Sequence, residues 1–166
     1  LHYDRKPELF RQLSQGQAPK VMVVACCDSR VDPAVITDSN PGDLFVVRNV
    51  ANLVPPCESA GAYHGTSAAL EFAVCNLGVE HIIVFGHAQC GGIRALMRKA
   101  GDGDDAGGFI HSWMAIVDRA RRKIVTEMPQ ASVEERAAAC EQEAIVISLD
   151  NLQTFSWIRE RVERGA

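Results

Sequence analysis

The chain has 166 residues, 47% of them hydrophobic, and a formal net charge of -4. That is enough apolar material for one domain with its own core, and the acidic balance excludes an electrostatic grip on nucleic acid or an anionic membrane surface. No apolar run nears the roughly 18 residues needed to span a bilayer and the first residues lack a signal-peptide shape, so a single cytoplasmic domain over 1–166 is expected.

Pro7 to Leu13 has helical spacing in Leu9, Phe10 and Leu13, and runs into Gly16. Val21 to Ala25 is a β-branched run that reads as a buried strand, breaking into Cys26-Cys27-Asp28-Ser29-Arg30. Pro33 opens a short helix through Ile36, Asn40-Pro41-Gly42-Asp43 makes a turn, and Leu44 to Val47 is a second strand. After an irregular segment from Asn49 to Gly61, Thr66 to Leu77 is a helix apolar nearly all round. Such a helix needs cover on more than one side, and packing across a dimer interface is expected. Gly78 ends it, and His81 to Phe85 is a third strand that breaks into Gly86-His87-Ala88-Gln89-Cys90-Gly91-Gly92. Gly91 opens a helix through Met97 to Lys99, followed by an acidic loop from Gly101 to Gly108. The loop is not an EF-hand, because Trp113 stands where the twelfth position requires Glu.

Phe109 to Val125 reads as one amphipathic helix with Arg119, Arg121, Arg122 and Lys123 on its solvated face. Ser132 and Glu135 form a capping box for helical sequence that runs almost to the end, with Ile145, Leu149, Leu152 and Phe155 as its apolar stripe. The alternation of strand and helix predicts an α/β fold: an open, mainly parallel sheet with helices on both faces.

Ligands and chemistry gather at the carboxyl ends of strands in such sheets. Both strand exits named above carry metal-ligand chemistry. Cys26 and Asp28, two apart in extended chain, point to one side while Cys27 points to the other. His87 and Cys90, three apart at a strand-to-helix turn, can reach a single ion. Two thiolates and an imidazole are three protein ligands of the kind a catalytic zinc uses while keeping a fourth position open. Asp28 and Arg30 are the carboxylate and fork donor that a polar site uses around its metal. Singly, each residue reads equally as an ordinary core or surface residue.

Two other functions use the same residues. In a non-catalytic zinc module Asp28 would close the metal as a fourth ligand. Thiol chemistry would use Cys26-Cys27, against which stand the absence of a C-x-x-C and the opposed directions of adjacent side chains. Six cysteines at irregular spacing do not suggest a disulfide framework, and Cys57, Cys75 and Cys140 read as structural thiols. His64 and His111 are candidate proton carriers; His2 and His81 read as ordinary polar residues. Two thiolates cancel the charge of zinc, so activity at such a site is expected to rise into the alkaline range.

The stretches Ala25 to Pro33, Pro41 to Pro56 and His81 to Leu96 resemble the β-class carbonic anhydrases, most nearly the plant-type branch, over about Gln15 to Arg161. The resemblance implies reversible hydration of carbon dioxide to bicarbonate and a proton by zinc-bound hydroxide, with one zinc ion on Cys26, His87 and Cys90. It assigns Asp28 to accept a hydrogen bond from the hydroxide and Arg30 to hold Asp28. Gln17 and the backbone N–H of Gly91 would donate to substrate oxygens, and Phe45 and Val50 would form the apolar wall. Phe72 matches a pocket position supplied by a neighbouring subunit, which implies a homodimer or higher homo-oligomer.

Three departures qualify that picture. Phe72 and Asn76 replace a tyrosine and a histidine associated with proton transfer, so buffer is expected to carry the proton. Val23 stands where the bicarbonate-inhibited branch has tryptophan, so no inhibitory bicarbonate site is expected and Asp28 should stay off the metal. Relatives also begin with further helix and end with strands beside the third; without such strands the third strand is an apolar edge, so either this is a chain trimmed at both ends or a partner covers that edge. Similar zinc sites that hydrolyse carbonyl sulfide or carbon disulfide supply the rival substrate class.

Overall fold

The computed structural model describes residues 5–58, 64–98 and 108–165. Helix α1 (Pro7–Leu13) leads into β1 (Val21–Cys26), whose last five residues are all buried. Helix α2 (Pro33–Ile36) starts where the side chain of Asp32 accepts from the N–H groups of Ala34 and Val35, and β2 (Leu44–Asn49) follows. Helix α3 (Gly65–Glu71) continues into a wider π-turn, Phe72–Leu77, which Gly78 ends in the left-handed conformation. Then come β3 (His81–Phe85), α4 (Gly91–Arg98), α5 (Phe109–Met114), α6 (Asp118–Glu127), α7 (Val133–Leu152) and α8 (Ser156–Glu163). The acidic loop expected over 101–108 lies, up to residue 107, outside the described residues, as do Lys99 and His2. Among the described residues no helix is long and apolar enough to cross a membrane.

The three strands form a parallel sheet in the order β2-β1-β3, as the alternation predicts. Met22 pairs with Phe45 and Ile82, and Val24 with Val47 and Val84. Side chains alternate across a pleat, so these six share one face. There they pack against Leu70, Ala73 and Val74 of the α3 region and Leu152, Phe155 and Ile158 beyond it. On the other face Val23 is buried, while Val46 and Ile83 on the flanking strands are 38% and 48% exposed. A second cluster sits beyond the carboxyl ends of the strands and joins Cys26, Ala51 and Cys90 to α4, α6 and α7.

Two helical expectations change. The segment read as one helix from Phe109 to Val125 divides into α5, a 3-10 turn Ala115–Val117, and α6. Its buried residues Met114, Val117 and Ala120 are three apart, and a tightened 3-10 turn aligns residues at i and i+3 where an α-helix would rotate them. The basic residues on it are also more than a solvated face: Arg121 is half-buried 2.9 Å from Asp118, and Lys123 lies 2.8 Å from Glu143 on α7.

The capping box of Ser132 and Glu135 forms as expected. The apolar stripe expected on this helical stretch forms only in part: Leu152 and Phe155 are buried and Ile145 is half-buried, but Leu149 is 46% exposed, and the buried line of α7 runs through Ala137, Cys140, Ala144, Ile147, Ser148, Asn151 and Leu152. Hydrogen bonding explains the turn of the helix. Ser148 Oγ accepts from the N–H of Val54 at 3.2 Å, and Asn151 Nδ2 donates to the Val54 carbonyl at 2.8 Å. The extended segment after β2 has no strand partner, so these two side chains satisfy a backbone that is fully buried. Thr154 breaks the helix beyond them: its hydroxyl donates to the Asn151 carbonyl at 2.6 Å and accepts from the N–H of Cys57 at 2.7 Å.

Replacing Asn151 with Ala leaves the buried Val54 carbonyl without a donor, so unfolding should become easier by about 1–3 kcal/mol. A urea midpoint equal to that of the parent chain would show that Val54 finds another partner.

Candidate metal centre

Register places the site. Cys26, the last residue of β1, pairs with Asn49, the last of β2, and β3 ends one position short of it at Phe85, paired with Ala25. The chain after β3 therefore emerges beside Cys26 and brings His87 and Cys90 to it. One ligand atom from each of Cys26, His87 and Cys90 lies within 4.8 Å of the others. That separation suits three donors around one ion with bonds of about 2.0 to 2.3 Å. The expected trio converges, and Cys27 is exposed outside it, its N–H donating to the Asn49 carbonyl at 2.9 Å.

Local chemistry has prepared each donor. The Nδ1 atom of His87 lies 2.9 Å from the carbonyl of Ala88; a carbonyl only accepts, so Nδ1 carries the proton and Nε2 presents its lone pair. Nε2 is the one buried side-chain nitrogen or oxygen without a hydrogen-bond partner among the described residues. Buried polar atoms are seldom left unpaired, and a cation between the sulfurs would pair this one.

Cys90 precedes the first residue of α4, and the nearby backbone N–H groups of Ile93 and Gly92 favour its thiolate. Burial first, and then the nearby Cys26 sulfur, push its thiol up to about 11. A thiol so placed resists ionising, and a bound dication reverses that preference. Donor chemistry and spacing both fit zinc.

Around the trio, Asp28 and Arg30 form the pair predicted. Arg30 Nε and its backbone N–H donate to Asp28 Oδ1 at 2.9 and 3.0 Å, and Nη2 donates to Oδ2 at 2.8 Å. The Arg30 side chain, and then its backbone N–H, hold the Asp28 carboxyl well below the usual carboxylate range. Asp28 is therefore an acceptor only. Its Oδ2 lies 3.9 Å from His87 Nε2. Arg30 Nη2 also donates to the Gln89 carbonyl at 3.1 Å, which ties the first strand exit to the third.

The sequence reading missed several supports. Arg48, at the end of β2, donates to the carbonyls of Cys26 and Asp28 at 2.9 and 2.7 Å and to Asp32 Oδ2 at 2.9 Å, so one guanidinium holds the whole exit of β1. A lone charge at the end of an apolar strand was its one signal. Both ends of the Asn49 side-chain amide bond the backbone of Leu53, at 2.8 and 2.9 Å, closing a tight turn in which Ala51 and Asn52 take φ of 63° and 48°. Left-handed conformations in residues with a Cβ are strained and gather at functional sites. Gly92 packs against that turn, where a Cβ would fall 2.8 Å from Val50 Cγ1 and 3.2 Å from Ala51 Cβ. Finally, Glu141 of α7 accepts from the N–H of Cys90 at 2.8 Å, and nothing in its charged helical stretch announced it.

The residues expected around a substrate divide. Gly91 opens α4 beside Cys90. Val50 lines a shallow apolar cavity of about 380 Å³ with Thr66, Ile110 and Trp113, and Trp113 Nε1 donates to its carbonyl at 2.7 Å. Phe45 is elsewhere: it pairs with Met22, four positions before Cys26, or roughly 13 Å back along the strand at about 3.3 Å per residue. It packs there against Phe72, their rings 6.0 Å apart, and Phe72 is 44% exposed. Gln17 is exposed between α1 and β1, with no hydrogen bond to the trio among the described residues.

Comparison with known proteins adds independent findings. The carbonic anhydrase family matches residues 21–166. The chain is 43% identical over 159 residues to beta carbonic anhydrase 5, chloroplastic, of Arabidopsis thaliana, covering 96% of this chain and 52% of that protein. It is likewise 43% identical over 158 residues to beta carbonic anhydrase 6, mitochondrial, of the same plant, covering 95% and 54%. The chain thus spans about half the length of these curated relatives. Among solved structures it is similar to the beta-carbonic anhydrase CcaA, with a TM-score of 0.89, 35% identity, and coverage of 99% of this chain and 72% of that one. A tetrameric beta-carbonic anhydrase of Sordaria macrospora gives 0.84 and 32%, covering 99% and 80%.

Metal-free protein should take up about one zinc ion per chain and release protons as the thiols ionise. His87→Ala and Cys26→Ser should retain less than about a tenth of that metal by elemental analysis. Full zinc in both variants would separate the trio from metal binding.

Proposed function

The chain belongs to the β-carbonic anhydrase family, and from that premise we propose that it hydrates carbon dioxide reversibly to bicarbonate and a proton, using one zinc ion per chain, as a homodimer or higher homo-oligomer. The observation that carries the proposal is the convergence of Cys26, His87 and Cys90 beside an Asp28 carboxylate already committed to Arg30. With Asp28 so engaged, the ion would have three protein ligands, which is the arrangement of a catalytic site and not of a closed structural one.

Cys26, His87 and Cys90 would hold the ion. When bound, zinc supplies the Lewis acidity that makes a water nucleophilic. Asp28 then orients that nucleophile. Oδ1 takes two bonds from Arg30 and Oδ2 one, so Oδ2 retains capacity to accept a hydrogen bond from the attacking oxygen. Because the carboxyl stays ionised it cannot donate, and the oxygen's lone pair is left for the carbon of the substrate. The N–H of Gly91, in the first turn of α4, has no intrahelical acceptor and would donate to a developing bicarbonate oxygen. Carbon dioxide has no charge to hold, so the wall formed by Val50 and its apolar cavity suffices for the rest.

Gln17, Phe45 and Phe72 act in this proposal on the site of a second copy. Phe45 and Phe72 lie together away from the trio of their own chain, and Phe72 presents an open face. A tetrameric relative supports assembly of this kind. The outward residues Ala68, Phe72 and Cys75 of the α3 region are the side that a helix apolar nearly all round leaves for a partner.

Stopped-flow assay of the zinc-loaded chain should show carbon dioxide hydration that Cys26→Ser abolishes; hydration that persists in that variant would sink the proposal. Gln17→Ala should lose about 10²-fold in kcat. Co-expressing the two variants should restore activity above the mean of the separate preparations, since a mixed dimer contains one site with both Cys26 and the partner's donor intact. Activity no higher than that mean would place Gln17 on its own chain's site.

A further inference from the structure

We propose that Glu141 is a positioning residue for the metal, fixing the Cys90 ligand through its backbone N–H. The inference rests on the zinc reading above and goes beyond it, since it brings into the site a helix that contributes no ligand.

Two observations on α7 carry it. The first is the bond itself, 2.8 Å from Cys90 N to Glu141 Oε1. That N–H has no partner in α4, whose first bond to this residue runs the other way, from Arg94 N to the Cys90 carbonyl at 3.0 Å. A helix leaves its first N–H groups unsatisfied. The preceding Gln89 adopts φ of 56°, turning the chain so that no neighbouring carbonyl is bonded to the Cys90 N–H.

The second is the contact one turn further along α7. A Cβ added to Gly86 would lie 2.6 Å from Ile145 Cδ1, so the helix presses on the residue just before His87. Glu141 and Ile145 are four apart and so share one face of α7. That face is the backstop for the whole His87–Cys90 turn, with Ile145 against its start and Glu141 on its end. Cys140 and Ala144, 0% and 1% exposed, bury the adjoining line of the helix and hold this face in place.

Cys90 immediately precedes α4, so Glu141 sets the backbone from which its sulfur projects. A carboxylate at the start of α4 is also favoured by the helix dipole. Loss of the bond lets the Cys90 backbone swing and the ligand wander. Such outer partners of metal ligands typically contribute about 10–100-fold in metal affinity.

The test is zinc affinity by competition with a chromophoric chelator, together with the absorption spectrum of the cobalt-substituted protein, for Glu141→Ala, Glu141→Gln and Glu141→Asp. Glu141→Gln keeps an acceptor oxygen at the same reach, and its affinity and cobalt–thiolate bands should match those of the parent chain. Glu141→Asp keeps the charge but is one methylene short, and should resemble Glu141→Ala, weakened about 10–100-fold with shifted bands. Equal affinity in Glu141→Ala and the parent overturns the inference, and so does a Gln variant as weak as the Ala variant, which would make the charge and not the bond responsible. If Glu141→Ala does not fold, the Gln and Asp variants still decide between these outcomes. A parent chain that binds no zinc sinks the zinc reading itself, whereas normal binding by all three variants sinks this inference alone.

Discussion

The constraint on which the site depends is the parallel register of β1 between β2 and β3. Cys26 stands opposite Asn49, and β3 ends beside Ala25. The three strand exits therefore open at nearly one level, and two segments far apart in sequence meet there. A slip of one residue would reverse every side chain on β1, turning Cys27 inward in place of Cys26. The two faces of the sheet differ enough to forbid it, because Met22 and Val24 lock into the cluster with Leu70, Ala73 and Val74.

Polar bonds convert that register into a rigid constellation. Arg48 spans the carbonyls of Cys26 and Asp28, and Arg30 joins Asp28 to the Gln89 carbonyl across the two strand exits. Both are fork donors, and a fork fixes direction as well as distance. Close packing does the remainder. Gly92 admits the turn through Ala51, and that turn holds two consecutive residues in a left-handed conformation. The strain persists because Asn49 bonds both backbone groups of Leu53 and leaves the segment no other course.

Helix α7 is the second organiser. It supplies Ser148 and Asn151 to an extended segment without a strand partner, Ile145 to Gly86 and Glu141 to Cys90. In the proposed enzyme the work is then divided between copies: the triad with Asp28 comes from one chain, and the Phe45–Phe72 pair with Gln17 serves the next. Oligomerisation on this reading completes the pocket as well as covering the outward side of α3.

The sequence by itself determined the strands, the turn at Asn40 to Asp43, the capping box at Ser132 and the two donor-bearing stretches, Cys26 to Arg30 and His87 to Cys90. Each is written in neighbouring residues: β-branched runs, turn chemistry, a cap three residues from its acceptor, metal-binding residue types at spacings one turn can serve. Tertiary structure alone decided which side of α7 faces inward, where Phe109 to Val125 breaks, that Glu141 and Arg48 hold the ligand backbones, and that Phe45 sits far from its own chain's trio. Around Ala137, Ala138 and Ala139 the residues of α7 are so alike that several faces could be buried, and periodicity cannot choose among them. What chose was the unpaired backbone at Val54 and Cys90, distant in sequence and adjacent only once the sheet had formed.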